Sequence, residues 1–328
     1  MKKRTITWIM AIAILILSAV SIFIGAIDIT GIFEGDFSKV ELVFISRLPR
    51  LLAILCTGIG MSVAGLIMQQ LCMNKFVSPS TGATITSAQF GVLISMVAFS
   101  GATLFQKTLI TFITSILGTW IFVWMIQRIK FKDIIMVPLI GIMFGTVIGA
   151  VTTYFAYKYG VIQSLQSTLV GDFSLIIKGR YEIVFLVVPL VILAFVYANH
   201  FNIVGMGENF AKNLGVNYKV VLFAGLSIAA LITASVVVTV GTISYIGLIV
   251  PNIVSMFRGD NMKGSLVDIA LFGALFVLIC DIIGRVVIFP YELPIDLISG
   301  IIGSAVFIAL MFKKLSTGPK KKKVVSNG

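Results

Sequence analysis

The sequence predicts an all-α, polytopic membrane protein with about ten transmembrane helices and both ends in the cytoplasm. Of its 328 residues, 59% are hydrophobic and only 12% are charged, and the mean hydropathy is +1.10. A soluble protein of this length needs a polar surface that so few charged residues cannot supply. Lipid is therefore the expected outer solvent, and the net charge of +12 is expected to set helix orientation rather than to bind nucleic acid.

Ten apolar segments have the composition of membrane spans, for which about 20 apolar residues are the usual length. The predicted spans are 6–27, 51–71, 82–99, 108–126, 134–157, 183–198, 219–240, 243–256, 266–288 and 295–312. Together they form a single transmembrane domain over residues 1–328, with a cytoplasmic loop at 199–219 and a basic tail at 313–328. The first segment also fits a signal peptide, but its apolar run continues to Ile27 without a clear cleavage pattern, which favours a span.

The placement of charge predicts the orientation of these spans. With the N-terminus in the cytoplasm, the inside segments hold 17 of the 25 Lys and Arg residues and four acids. The outside segments then hold the other eight cations and nine of the 13 Asp and Glu residues. The inside is therefore much more positive than the outside, as the positive-inside rule requires.

The eighth predicted span, 243–256, is too short to cross about 30 Å of hydrocarbon at about 1.5 Å per residue, and it contains Pro251. Such a segment is stable at membrane depth only where protein or a water-filled cavity surrounds it. We therefore expect it inside the bundle, as a candidate element of a translocation pathway. In the fifth span, Gly141, Gly145 and Gly149 recur every four residues, which is typical of close helix packing.

Several kinds of chemistry are not supported by the sequence. No Gly-x-x-x-x-Gly-Lys-Ser/Thr loop occurs, so an ATPase site of that type is not expected. Acids and lysines are scarce within the spans, which disfavours an ion-coupled secondary carrier. Cys56, Cys72, Cys280 and the single histidine, His200, show no metal-ligand spacing, and no nucleophile–base set indicates a membrane-embedded enzyme. We predict no cofactor and no metal site.

Two surfaces are candidates for binding other proteins. On the outside, Arg47, Arg50 and Arg285 present guanidinium groups that suit carboxylates of a docking protein, or that snorkel to the headgroup boundary. In the cytoplasmic loop, Phe210, Ala211 and Leu214 are spaced as on a short amphipathic helix that ends at Gly215. Such a helix is a natural lever for a soluble partner, or else a structural interfacial helix.

Four ordered stretches carry a family resemblance over most of the chain. They are SRLPRLLAILCTGIGMSVAGLIMQQLCMNKFVSP at 46–79, GENFAKNLGV at 207–216, VGTISYIGLIVPNIVSMFRGDN at 240–261 and DIIGRVVIFPYELPIDLISGIIGSAVF at 281–307. With these motifs and this topology the chain resembles the FecCD-type permease subunits of ABC importers. Members of that family take up iron–siderophore complexes, haem and cobalamin.

The resemblance implies a set of partners and surfaces. A second permease subunit, as homodimer or heterodimer, two cytoplasmic ATPase subunits and an extracytoplasmic substrate-binding lipoprotein would complete an importer in the bacterial cell membrane. Arg47, Arg50 and Arg285 match family positions that meet acidic residues of the binding protein. The residues that match the segment seated in a cleft of the ATPase are Gly207, Glu208, Asn213, Leu214 and Gly215.

The resemblance also implies pathway or gating roles for Gln69, Asn74, Pro251 and Asn252. One departure is Lys75, which follows Asn74 where the family usually has proline, and this puts the kink of the cytoplasmic turn in doubt. The residues of several motifs most resemble those of permeases for ferric catecholate-type siderophores in low-GC Gram-positive bacteria. Because a siderophore keeps the iron's ligands, no iron site is expected in the chain. A cobalamin or haem importer, and an ion-coupled carrier, stay as alternatives.

Overall fold

The computed structural model describes residues 2–24, 41, 43–99, 101, 103–129, 135–179, 181–259 and 262–316. Within these ranges the chain forms twelve α-helices, and no strand is formed by the described residues. The helices are α1 (Lys2–Phe23), α2 (Leu48–Leu71), α3 (Thr84–Ala98), α4 (Leu104–Arg128), α5 (Met136–Lys158), α6 (Ile162–Leu169), α7 (Val187–Val204), α8 (Glu208–Asn213), α9 (Tyr218–Thr239), α10 (Ile246–Arg258), α11 (Met262–Val286) and α12 (Ile295–Ser316). A π-helical turn, Val43–Arg47, leads into α2, and a 3₁₀ turn, Glu182–Leu186, leads into α7.

The all-α membrane fold is confirmed, and ten of these helices correspond to the ten predicted spans. Seven helical stretches of the described chain are long and apolar enough to cross a membrane. Three shorter apolar helices, Thr84–Ala98, Ile246–Arg258 and Ile295–Ala309, supply the others. Residues 25–27 of the first predicted span and residues 317–328 of the basic tail lie outside the described residues.

Two helices extend beyond the predicted spans. Helix α7 continues to Val204, into the predicted loop at 199–219. Polar residues end the apolar window there, but Ala198, Phe201 and Val204 keep the helical spacing and remain buried, so the helix continues. Helix α12 likewise runs to Ser316, into the predicted tail at 313–328.

Helix α2 forms the centre of the bundle. It packs against α7, α9, α10 and α11, and most of its residues are buried. Two glycines permit the closest approaches: a Cβ at Gly58 would collide with the backbone of Gly273, and one at Gly65 with the backbone of Gly247. In α5, Gly141 packs against the carbonyl of Thr81, as expected of a helix contact, whereas the open face of Gly149 has no atom of the described chain within 4 Å.

Helix α10, the short eighth span, lies inside the bundle as predicted. Every residue from Ile246 to Pro251 is buried, and the chain enters the helix through Tyr245, whose φ is +67°. Beyond Pro251 the helix emerges toward the cytoplasm, where Met256 is 50% and Phe257 70% exposed. The helix is thus divided at its proline into a buried outer half and a partly exposed inner half.

An outer segment between α5 and α7 was not predicted, because it contains no long apolar run. Helix α6 and the residues that follow it are anchored by buried Leu165, Phe173 and Ile176. Two backbone hydrogen bonds attach this segment to the turn between α9 and α10: Thr242 N donates to Leu169 O at 2.9 Å and Asp172 N to Val240 O at 3.0 Å. The segment therefore lies over the outer approach to α10.

Candidate functional site

A cavity of about 240 Å³ on the cytoplasmic side brings together three of the four residues expected along a pathway. Gln69 and Asn74 line it from the end of α2 and the following turn, and Pro251 lines it from α10. Ser255 and Gly205 add walls from the inner half of α10 and from the end of α7. The cavity thus lies between α10 and the end of α7, which leads into α8.

Gln69 compensates for the proline of α10. Pro251 has no N–H, so the carbonyl of Gly247 loses its usual donor within the helix. Gln69 Nε2 lies 3.4 Å from that oxygen and 3.2 Å from Leu248 O, so it donates to the carbonyls left exposed at the break. The buried amide of α2 therefore stabilises an interrupted helix that would otherwise have an unsatisfied buried carbonyl.

Asn252, the fourth expected residue, lies next to Pro251 in α10 and also donates hydrogen bonds at this break. Its Nδ2 donates to Leu248 O at 2.7 Å and to Lys75 O at 2.8 Å. The second bond joins the inner half of α10 to the turn that follows α2. Asn252 is therefore a structural link between two walls of the cavity.

The turn after α2 forms without the proline that the family usually has there. Met73 adopts a positive φ of +50°, and Asn74 N donates to Gln69 O at 2.9 Å. The Asn74 side chain then accepts from Phe76 N at 2.9 Å, which is an Asx turn. Asn74 and Met73 thus supply the chain reversal, and Lys75 is left at the exposed tip of the turn.

The expected coupling residues form a short cytoplasmic helix with glycines at both ends. Gly207 (φ +109°) precedes α8, and Gly215 (φ +73°) follows it; both values favour glycine. Only Ala211 of the predicted apolar set is buried, whereas Phe210 is 43% and Leu214 55% exposed. Helix α8 therefore presents apolar side chains to the cytoplasm.

Polar contacts fix the ends of this segment. Val216 N donates to Ala211 O at 2.9 Å, which closes the chain over the C-terminus of α8. Glu208 and Lys212 form an exposed ion pair at 2.9 Å, one helical turn apart. Asn213 closes the helix, and the six residues of α8 are held as one short rigid unit.

The structure brings the three outer arginines together and turns two of them inward. Arg50 donates to Asp281 Oδ1 at 2.7 Å and to Glu292 Oε2 at 2.7 Å. Arg285 is only 3% exposed and pairs with the other oxygen of Asp281, one turn earlier in α11. We call Arg50, Asp281, Arg285 and Glu292 the outer cluster.

The outer cluster also secures the end of α1. Arg285 Nη1 donates to Ser21 O and Ile24 O, at 2.8 Å each, and Arg47 donates to the same Ile24 carbonyl. Arg47 is therefore joined to this group only at its edge and is less buried than Arg285. The docking role expected for the three arginines stays a prediction. Arg50 and Arg285 have a second role, which is to form ion pairs within the bundle. The acids of these pairs were not predicted from sequence.

Comparisons with known proteins agree with this architecture. The model of the FecCD transport family matches residues 9–313. The petrobactin import system permease protein YclN of Bacillus subtilis is 49% identical, over 92% of this chain and 96% of its own length. The petrobactin import system permease protein FatD of Bacillus anthracis is 39% identical over 92% and 90%, and the ferric-anguibactin transport system permease protein FatD of Vibrio anguillarum 36% over 94% and 98%.

A solved structure described as an inward-facing conformation of a metal-chelate type ABC transporter shares the fold. The superposition has a TM-score of 0.81 and covers 95% of this chain and 100% of that chain, at 24% sequence identity. The sequence motifs, the ten apolar helices and the family match over nearly all of the chain lead to one conclusion. The chain belongs to the FecCD transport family.

Proposed function

We propose that the chain is the permease subunit of an ATP-driven importer that carries ferric siderophores inward across the bacterial cytoplasmic membrane. The observation that carries this proposal is the 49% identity to a petrobactin import permease over nearly the whole of both chains. Two further relatives are described as petrobactin and ferric-anguibactin permeases. Ferric petrobactin is therefore the first candidate cargo, and the catecholate-type expectation stays a prediction for the same assay.

The proposed importer contains four kinds of component besides the cargo. This chain pairs with a second permease subunit, two ATPase subunits bind on the cytoplasmic side, and a lipoprotein delivers the ferric siderophore from outside. The sequence has no phosphate-binding loop of its own, which supports an external ATPase.

We place the ATPase contact at α8 and its flanking glycines, residues 207–215. Exposed Phe210 and Leu214 are apolar anchors on a cytoplasmic face, and such anchors suit a cleft of a soluble partner. Because Gly207 and Gly215 fix the direction of the chain at both ends, a push on α8 is transmitted to α7 and α9 rather than absorbed by a loose loop. Closure of the ATPase pair on ATP is the proposed source of that push.

We place binding-protein docking on the outer face at Arg47, with Arg50 beside it. Arg47 is the least buried of the three outer arginines, and Arg50 retains 13% exposure of its side chain. Acidic groups of a docked protein would meet the Arg47 guanidinium and the exposed edge of Arg50, and Arg285 would support that face from below. Charge reversal at Arg47 is the appropriate docking test, since it leaves the buried ion pairs of the outer cluster intact.

The cargo path requires no iron ligands from the chain. A ferric siderophore carries its own oxygen or nitrogen ligands, so the permease needs only a passage that opens and closes. We propose that Gln69, Asn74 and Pro251, which line the cytoplasmic cavity, act in opening and closing that passage rather than in holding the cargo. Asn252 borders it through its bond to the Lys75 carbonyl.

The test is uptake of radiolabelled cargo by cells that lack this gene and by the same cells with the gene restored on a plasmid. Ferric petrobactin, a ferric catecholate, a ferric hydroxamate, haem and cobalamin are supplied in turn under iron limitation. We expect loss of ferric petrobactin uptake in the deletion strain and recovery on restoration. Selective loss of haem or cobalamin uptake would contradict the siderophore assignment while keeping the importer.

A second measurement separates the importer from an ion-coupled carrier. The purified chain alone in proteoliposomes is given a proton or sodium gradient and the ferric siderophore that the cells took up. We expect no accumulation, because transport requires the ATPase and the binding protein. Gradient-driven accumulation by the isolated chain would overturn the ATP-driven mechanism.

A further inference from the structure

A buried ionic cluster on the cytoplasmic side joins three helices and takes no part in the surfaces described above. Arg258, the last residue of α10, pairs through Nε with Asp268 Oδ2 of α11 at 2.6 Å, and through Nη2 with Asp268 Oδ1 at 2.8 Å. The same Nη2 donates to Thr7 Oγ1 of α1 at 2.7 Å, and Thr7 donates to Asp268 Oδ1 at 2.6 Å. We call Thr7, Arg258 and Asp268 the inner cluster.

The geometry of the inner cluster is that of a strong and directional contact. The guanidinium engages both oxygens of one carboxylate, an arrangement that fixes the relative orientation of the two side chains. The Asp268 side chain is 6% exposed and that of Arg258 12%, so water screens the pair little. A pair of this kind is costly to break, unlike the exposed Glu208–Lys212 pair of α8.

The inner half of α10 has few other attachments. After Pro251 the helix borders the cytoplasmic cavity through Ser255 and Gly259, and Phe257 is largely exposed. Among the described residues, its side-chain hydrogen bonds to other elements come from Asn252, which reaches the turn after α2, and from Arg258 at its end. Buried Val254 and these two polar side chains therefore hold this half-helix beside an open space.

The inner cluster also connects α10 to the part of the chain that carries α8. Asn202 of α7 accepts a hydrogen bond from Met262 N at 3.0 Å, which attaches the start of α11 to the helix that leads into the coupling segment. From Met262 the rigid α11 runs to Asp268, and Asp268 holds Arg258. Two part-buried polar contacts, joined by the first turns of α11, thus connect α7 to α10.

We propose that Arg258 and Asp268 are positioning residues that hold the inner half of α10 to α11 and α1, so that a displacement of the coupling segment reaches α10 through α11. This inference rests on the proposed function in assuming an ATPase partner, but it does not depend on which cargo is carried. Thr7 orients the pair from α1 and prevents the half-helix from swinging toward the cavity. The cavity is the space into which the inner half of α10 moves.

The experiment uses the complete importer, purified with its partner subunits and reconstituted with α8 facing the outer buffer. A Ser255→Cys reporter in a Cys72→Ser background places one thiol on the cavity wall, and the remaining cysteines, Cys56 and Cys280, are buried. Labelling by a membrane-impermeant maleimide is followed without nucleotide and with ATP plus vanadate. No siderophore is added, so a wrong cargo assignment cannot affect the result.

We expect Asp268→Asn to speed labelling of the reporter about tenfold, because the half-helix loses its buried anchor. We also expect the difference in labelling rate between the two nucleotide conditions, present in the parent, to disappear, while ATP hydrolysis measured without vanadate continues. The matched control is Arg128→Gln, which removes a cytoplasmic arginine at the end of α4 that stacks on Trp124. This control should label as the parent does.

Two further variants keep the proposal testable if Asp268→Asn does not accumulate. Arg258→Lys retains the charge but cannot engage both carboxylate oxygens, and it should speed labelling about threefold. The exchange Arg258→Asp with Asp268→Arg should return labelling toward the parent rate. Three results would each overturn the proposal. They are labelling at the parent rate in Arg258→Lys, a retained nucleotide response in Asp268→Asn, and a parent that shows no nucleotide response.

Discussion

Asp281 is predicted to be the most sensitive residue of the outer cluster. It is 4% exposed and supplies a counter-charge to both Arg50 and Arg285. The Asp281→Asn substitution keeps the size of the side chain and removes its charge. Arg50 then still has Glu292, but no other carboxylate is paired with Arg285, which is 3% exposed, among the described residues.

The structure gives the size of the effect. Removing one partner of a buried pair costs about 3–5 kcal/mol, since the other charge is left without compensation in a poorly solvated site. Glu292→Gln is the matched control, because the Glu292 side chain is 24% exposed and its pair is expected to contribute about 1 kcal/mol or less. The Asp281→Leu, Arg285→Met double variant should recover most of the loss, since it removes both buried charges together.

The assay is thermal unfolding of the detergent-purified permease, followed by tryptophan fluorescence and by the fraction that stays monodisperse after heating. We expect Asp281→Asn to have the lowest unfolding midpoint, Glu292→Gln to lie close to the parent and the double variant to lie between them. Equal midpoints for Asp281→Asn and Glu292→Gln would refute the reasoning. So would a double variant less stable than the single one.

Four other substitutions, one of them a matched control, test the remaining features. Gly65→Ala should lower both stability and transport, because the added Cβ would meet the Gly247 backbone and overpacking costs about 1–3 kcal/mol. Gly149→Ala, where the space is open, should leave the stability of the isolated chain unchanged or raise it. Equal stability of the two variants would contradict the close packing at Gly65. Asn252→Leu should lower uptake without preventing membrane insertion, as it removes the amide that joins α10 to the Lys75 carbonyl, and normal uptake would count against the structural link. Glu208→Lys should reduce permease-stimulated ATP hydrolysis by the partner subunits, and normal stimulation would contradict the coupling role.

The helices could be predicted from sequence because each depends on a local property. A run of apolar residues long enough to cross the membrane must become helical there, since lipid offers no partner to an unpaired backbone group. For the same reason Pro251 in a short segment predicted a location inside the bundle, which the structure confirms. Boundaries set by hydropathy alone failed at α7, where Phe201 and Val204 continue the buried face past polar residues.

The candidate site was predicted less completely. The residues of α8 could be named because a short amphipathic pattern between glycines is visible within the segment itself. The partners of Arg50 and Arg258 could not be named, since Asp281 and Asp268 lie in α11, far along the chain. Likewise, the amide of Gln69 meets α10 only because Gly65, one turn earlier, lets the two helices approach.

The sequence by itself was enough to predict that the protein lies in a membrane, the number and orientation of its spans, and its family. These follow from hydropathy, charge bias and motifs, which are properties of consecutive residues. Only the tertiary structure decided which charges neutralise one another inside the bundle. A buried arginine is stable only beside a carboxylate whose position depends on how separate helices pack. That packing turned two outer arginines inward and joined Arg258 to α11, and it thereby separated surfaces available to partners from contacts that hold the bundle together.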